Sequence, residues 1–111
     1  MTELTVLNGA AIQALLTIPM AVRAVEQASL ETRTGGAALW PRGSHEFTPG
    51  AADLDIKSGH MNGLGLYGMK VVSWFGDNPA KDLPALYGTS LLFDIHTGAP
   101  RALLNASPIT A

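Results

Sequence analysis

Beyond Gly36 the apolar residues come in runs of strand length, broken repeatedly by glycine and proline, and this pattern restricts the chain to a sheet-based fold. The runs predict strands over residues 38–42, 52–58, 66–75, 86–94 and 101–105. The polar stretch Asp94-Ile95-His96-Thr97-Gly98-Ala99 lies between two of them and predicts a hairpin. Gly76-Asp77-Asn78-Pro79 is dense in turn formers and opens a loop reaching to Pro84. The run 86–93 does not alternate cleanly. Leu86, Tyr87, Leu91, Leu92 and Phe93 put bulk on both sides of the strand, which demands cover from another layer or another chain.

The first third reads differently. Residues 2–7 alternate polar and apolar, with Leu4 and Val6 on one side, as in a short strand. Asn8-Gly9 can cap a helix over residues 10–16, with Ile12, Leu15 and Leu16 along one flank. Thr17 offers a second N-cap with Pro19 in the first turn. Met20, Val22, Ala24, Val25 and Ala28 form the apolar stripe of the helix that follows, and Arg33-Thr34-Gly35-Gly36 ends it. Two helices followed by a meander predict one α+β domain over residues 1–111, with a mainly antiparallel sheet.

Composition narrows the function. The 111 residues are 47% hydrophobic and 14% charged, against about 25% charged in an ordinary soluble domain. A chain so poor in charge has a generous core or a broad face meant for a partner. The net charge is −2 and the seven basic residues are scattered, so there is no footprint for nucleic acid. There is no cysteine, which removes disulfides, thiolate catalysis and cysteine-ligated zinc. No signal peptide and no apolar run of membrane-spanning length is read, and the expected location is cytoplasmic.

Few residues carry chemical promise. Lys70 is a lone cation inside the apolar strand Gly68-Met69-Lys70-Val71-Val72. Two readings fit it: a stem that packs while its ammonium reaches water, or a lysine at a pocket wall that binds a carboxylate or moves a proton. Arg42, after Leu39-Trp40-Pro41, reads on spacing alone as a surface arginine near a turn. His45, His60 and His96 fall in three loop-like contexts, and their spacing with Glu46, Asp53 and Asp55 matches no metal-ligand pattern. Gly63-Leu64-Gly65-Leu66-Tyr67-Gly68 satisfies G-x-G-x-x-G, but an apolar strand follows it where a dinucleotide fingerprint needs a helix. No cofactor-binding and no metal-ligating residue is assigned.

The run from Tyr67 to Ala111, with Lys70-Val71-Val72 after a glycine, the Asn78-Pro79-Ala80 loop, Leu83-Pro84-Ala85 and the closing Ile109-Thr110-Ala111, resembles the first domain of the ornithine cyclodeaminase/mu-crystallin family. The resemblance extends over residues 4–28 and rests on Pro41-Arg42 between them. It implies NAD(P)-dependent chemistry at the α-carbon of an amino or imino acid, the name-giving case turning ornithine into proline and ammonia. Carried over, Lys70 contacts the substrate α-carboxylate close to the reacting carbon, and Arg42 forks onto the same carboxylate. Ala85 stands where the family often has a threonine, which points away from ornithine. The family pairs this substrate-binding and dimerisation domain with a dinucleotide-binding domain that is not read in these residues. The expectation is therefore a truncated, homodimeric front part of such an enzyme, inactive by itself. The rival reading is a stand-alone interaction module built on the same sheet.

Overall fold

The computed structural model describes residues 4–11, 24, 26, 27 and 30–105. Seven strands form one mixed sheet: β1 (Thr5–Leu7), β2 (Ala37–Leu39), β3 (Gly43–Thr48), β4 (Ala52–Met61), β5 (Leu66–Phe75), β6 (Leu86–Asp94) and β7 (Pro100–Asn105). The order is β1-β7-β6-β5-β4-β2, and β3 shares with β2 the outer edge of β4. β1 runs parallel to β7, and every other pairing is antiparallel.

The expected strands over residues 66–75 and 86–94 match β5 and β6 residue for residue, and the meander is mainly antiparallel as read. Three expectations change. The strand over 38–42 ends at Leu39. β4 runs on to Met61, three residues beyond the predicted end. β3 was not expected at all: Gly-Ser-His-Glu-Phe-Thr has no apolar alternation, because as an edge strand exposed along its whole length it packs little. Pro49-Gly50 then turns it into β4, with Gly50 at φ 72° and the Ala51 N–H donating to the Thr48 carbonyl at 3.0 Å, the arrangement of a type II turn.

Both expected helices lie largely outside the described residues. Their described ends agree with the reading. The Asn8 side-chain oxygen accepts from the Ala11 N–H at 2.9 Å, as an N-cap does. Residues 30–34 are helical, and Gly35 follows at φ 82°. The Gly36 N–H donates to the Glu31 carbonyl and the Gly35 N–H to that of Thr32, the paired bonds of a Schellman stop.

Residues directly opposed on neighbouring strands share a face of the sheet. The first face carries the rows Lys57–Lys70–Ser90–Leu104 and Gly59–Gly68–Leu92–Ala102. The second carries Ile56–Val71–Thr89 and Ser58–Met69–Leu91–Leu103. The helical segment comes down on the first face, where Thr32 joins Leu39, Met61, Leu66 and Leu92 around an apolar cavity of about 550 Å³. Aromatic contacts mark both ends of the second face: Tyr67 stacks on Phe93 at 4.9 Å and sits 6.0 Å from Trp40, while Phe47 lies 5.6 Å from Phe75.

Almost nothing is dry. Among the described residues Ala52 is the only apolar one that is buried, and Phe47, Tyr87 and Trp40 on the second face are 53%, 43% and 39% exposed. The accessible surface is 7576 Å². A closed monomer of this mass has about 5,800 Å².

The β6–β7 hairpin closes on Asp94. Its Oδ1 accepts from the His96 N–H at 2.7 Å and the Thr97 N–H at 3.3 Å, and its Oδ2 lies 3.4 Å from the Arg101 guanidinium. The His96 N–H is the main reason its carboxyl is held below the usual carboxylate range; the Thr97 N–H and the positive charges of His96 and Arg101 act in the same direction. A depressed carboxyl stabilises the fold above its unfolded value, near 3.9, and loses that contribution as pH falls through the folded value. Asp94→Ala is therefore expected to lower the melting temperature by a few degrees at pH 7. The gap from wild type should close as melts are repeated at successively lower pH below about 4.

Candidate functional site

The strand pattern Asp53-Leu54-Asp55-Ile56-Lys57-Ser58 puts its charges on one side of β4, and pairing places them on the first face. Lys57 stands directly opposite Lys70, and Lys70 directly opposite Ser90. Lys70 is half-buried and Lys57 exposed.

Arg42 reaches the same row through an irregularity in the edge. Leu39 pairs with Gly59 and Gly43 pairs with Ile56, so three residues on this edge span only two on β4. Trp40, whose N–H donates to the Ser58 carbonyl at 2.9 Å, keeps the second face. The extra residue reverses the alternation, and Arg42 comes out on the first face. Pro41, with no N–H to give, is suited to such a break. The Arg42 guanidinium lies 3.7 Å from Oδ1 of Asp55, with the two side chains 60% and 36% exposed. An ion pair so long and so wet contributes little, about 0–1 kcal/mol, so Arg42 is free to exchange Asp55 for a ligand.

The sheet thus brings Arg42 and Lys70 to one face, about two strand spacings or ~10 Å apart, within reach of a common ligand for side chains of their length. Between them it places Lys57, which spacing along the chain had not singled out. The signal was present: Asp53, Asp55 and Lys57 alternate with Leu54, Ile56 and Ser58, a period-two pattern that marks one polar face. Ser90 is a second addition, the hydroxyl beside Lys70. Tyr87 and Thr89 oppose Ser73 and Val71 on the second face and do not reach the row. Ala85 precedes Ser90 by five residues, about 16 Å along an extended strand, too far to supply a contact beside Lys70.

Beside the row the first face is low. Gly59 and Gly68 continue the strands of Lys57 and Lys70 without side chains, and both line the 550 Å³ cavity. A methyl group at Gly68 would meet the Leu91 carbonyl oxygen and a Leu92 methyl at 2.8 Å, so glycine is required there. A second hollow of about 800 Å³, of mixed polarity, lies further along this face, bounded by Thr5, Leu7, Arg101, Ala102 and Leu104.

Two of the three histidines are corrected in place. His45 lies in β3 and His60 in β4, and only His96 is in a turn. The Trp40 indole N–H donates to His60 Nδ1 at 2.9 Å, which gives that imidazole a structural task. Among the described residues no three His, Asp or Glu side chains gather as metal ligands would. Gly63–Gly68 form the β4–β5 connection: a single 3₁₀ turn over Asn62–Leu64, Gly65 at φ 66°, then β5. No helix N-terminus is offered to a pyrophosphate there.

The sequence profile of the ornithine cyclodeaminase/mu-crystallin family matches residues 2–111. The chain is 30% identical over 109 residues to an alanine dehydrogenase of Archaeoglobus fulgidus, covering 98% of this chain and 33% of that protein. Among solved structures it is similar to the Thermococcus litoralis Δ1-pyrroline-2-carboxylate reductase in complex with NADH and L-proline (TM-score 0.86, 28% identity, 96% of this chain and 33% of that one). An archaeal alanine dehydrogenase dimer with bound NAD gives a TM-score of 0.85 at 29% identity, over 96% of this chain and 32% of the other. The chain spans about a third of the length of these relatives.

Directly opposed like charges destabilise a sheet. Lys57→Gln is expected to raise stability at low salt by an amount toward the lower end of about 0.2–1 kcal/mol, Lys57 being exposed. The gain should vanish near 1 M salt, where the screening length is about 3 Å. Urea melts at the two salt concentrations measure it.

Proposed function

The chain belongs to the ornithine cyclodeaminase/mu-crystallin family, and on that premise we propose that it is the substrate-binding and dimerisation domain of an NAD(P)-dependent enzyme acting at the α-carbon of an amino or imino acid. The observation that carries this reading is the convergence of Arg42 and Lys70 on one face of the sheet, beside an apolar hollow. Neither neighbour along the chain explains a half-buried cation in the middle of an apolar strand.

In this reading the Arg42 fork takes both oxygens of the α-carboxylate. The Lys70 ammonium closes on it from two strands away and stands near the α-carbon, where it can give or take a proton. Ser90 fixes that ammonium from the next strand. The floor at Gly59 and Gly68 leaves room for the substrate's carbon chain. Hydride transfer at that carbon is the chemistry a nicotinamide would supply if bound. The described residues do not fit a dinucleotide, since their one glycine-rich run is a hairpin connection, and no step is assigned to them through it.

The second face carries the other half of the proposal. Met69, Val71, Leu91 and Leu103 sit there between the two aromatic clusters, and a second copy of the chain covers them. The surface in excess of a closed monomer is of the order of 1,700 Å², about twice what one partner gives to an interface of standard size.

Two measurements test this. The purified 111-residue chain, given ornithine and NAD, is expected to form no proline; steady proline formation contradicts the reading. In an enzyme that contains this domain, Lys70→Ala is expected to lower kcat/KM for the amino or imino acid by about 10²-fold or more, the scale of one lost transition-state donor, with the melting temperature little changed. A silent Lys70→Ala favours a stand-alone interaction module in its place.

A further inference from the structure

The first face holds more positive charge than one carboxylate requires. Arg42, Lys57 and Lys70 lie side by side in one cross-sheet row, and Asp55 is in ion-pair contact with Arg42. Of the further acids on this face, Asp53 and Glu46 oppose each other further along β4 and β3, on the side away from the apolar hollow, and Asp94, opposite Leu66, is taken up by the His96 and Thr97 N–H groups and by Arg101. Leu39, Gly59, Met61, Leu66, Gly68 and Leu92 are among the residues that line the hollow, and none of the described lining residues is an acid; the nearby Glu31 carboxylate lies against Gly63. Lys57 and Lys70 are directly opposed, about 4.5–5.5 Å apart at Cβ, so each raises the cost of the other until an anion lies between them. One carboxylate satisfies Arg42 and Lys70. Lys57, with its ammonium in water and no acid as its direct partner across the sheet, remains for a second.

We infer that Lys57 is a specificity residue and that the substrate is an acidic α-amino acid or its imine, carrying a second carboxylate that Lys57 binds. This rests on the pocket reading above and extends it to the substrate's side chain. The aspartate and glutamate skeletons have the right chemistry: a short apolar carbon chain for the hollow over Gly59 and Gly68, and a carboxylate at each end. A side-chain amine, as in ornithine or lysine, meets a like charge at Lys57 and is disfavoured. The bulkless floor matters as much as the charge, because side chains at Gly59 and Gly68 would fill the hollow beside the row that takes the carbon chain.

The test is a titration of the isotopically labelled chain, followed by backbone amide resonances of β4 and β5, at matched ionic strength. L-aspartate and L-glutamate are expected to bind at least about tenfold more tightly than L-alanine, a difference of about 1.4 kcal/mol. Lys57→Gln is expected to bring that ratio down to near one. Lys57→Glu is expected to reverse the order, with L-ornithine ahead of L-glutamate; the dispersion of the spectra shows that each variant is folded. The inference is overturned if the acidic amino acids shift nothing at concentrations where alanine does, if none of the amino acids shifts the β4 and β5 resonances, or if the acidic preference survives Lys57→Gln. Failure of the pocket reading looks different: Lys70→Gln and Arg42→Gln would then leave the alanine response intact, whatever Lys57 does.

Discussion

A single sheet cannot dry both of its faces with one layer of helix, and this constraint governs the molecule. Its apolar fraction, 47%, is that of a well-filled domain, yet Ala52 is the only buried apolar residue among those described. The radius of gyration, 15.5 Å, exceeds the roughly 13 Å expected for a compact chain of this length. Hydrophobic burial is the main favourable term in folding. A sheet that leaves Phe47, Tyr87 and Val6 at about half exposure or more has part of that term still to collect.

The period of two along each strand divides the tasks. It sends Met69, Val71, Leu91 and Leu103 to the second face and Lys57, Lys70 and Ser90 to the first. The same backbone therefore carries an apolar surface and a charged one, separated only by the thickness of the sheet. The extra residue at Pro41-Arg42 is the single break in this order that matters for chemistry. It allows Trp40 to join His60 and Tyr67 on the second face, while Arg42, two residues later, joins the lysines on the first. One register shift sets the polar row and the aromatic cluster together.

Much of this was legible in the sequence. β5 and β6 are long, strongly apolar and bounded by Gly65 and Asp94, so their limits follow directly. The turn chemistry of Gly35 and of the Asp94 hairpin is local and was read as such. β3 was missed because an exposed edge strand has no apolar signature, and the end of β2 because an irregular edge has no one-dimensional marker. The importance of Lys70 was visible as a cation in an apolar strand. That Lys57 stands opposite it, that Ser90 and not Thr89 is its neighbour, and that Ala85 lies far along the strand are facts of register. Register is fixed by pairing between segments distant in sequence and is not written in any one of them.

In the proposed function another copy of the chain covers the second face. Sedimentation equilibrium of the 111-residue protein, with Leu91→Asp as control, tests it most directly. A concentration-dependent dimer that Leu91→Asp converts to a folded monomer is the result predicted. A chain that stays monomeric at every concentration, or a dimer indifferent to a charge at Leu91, contradicts it.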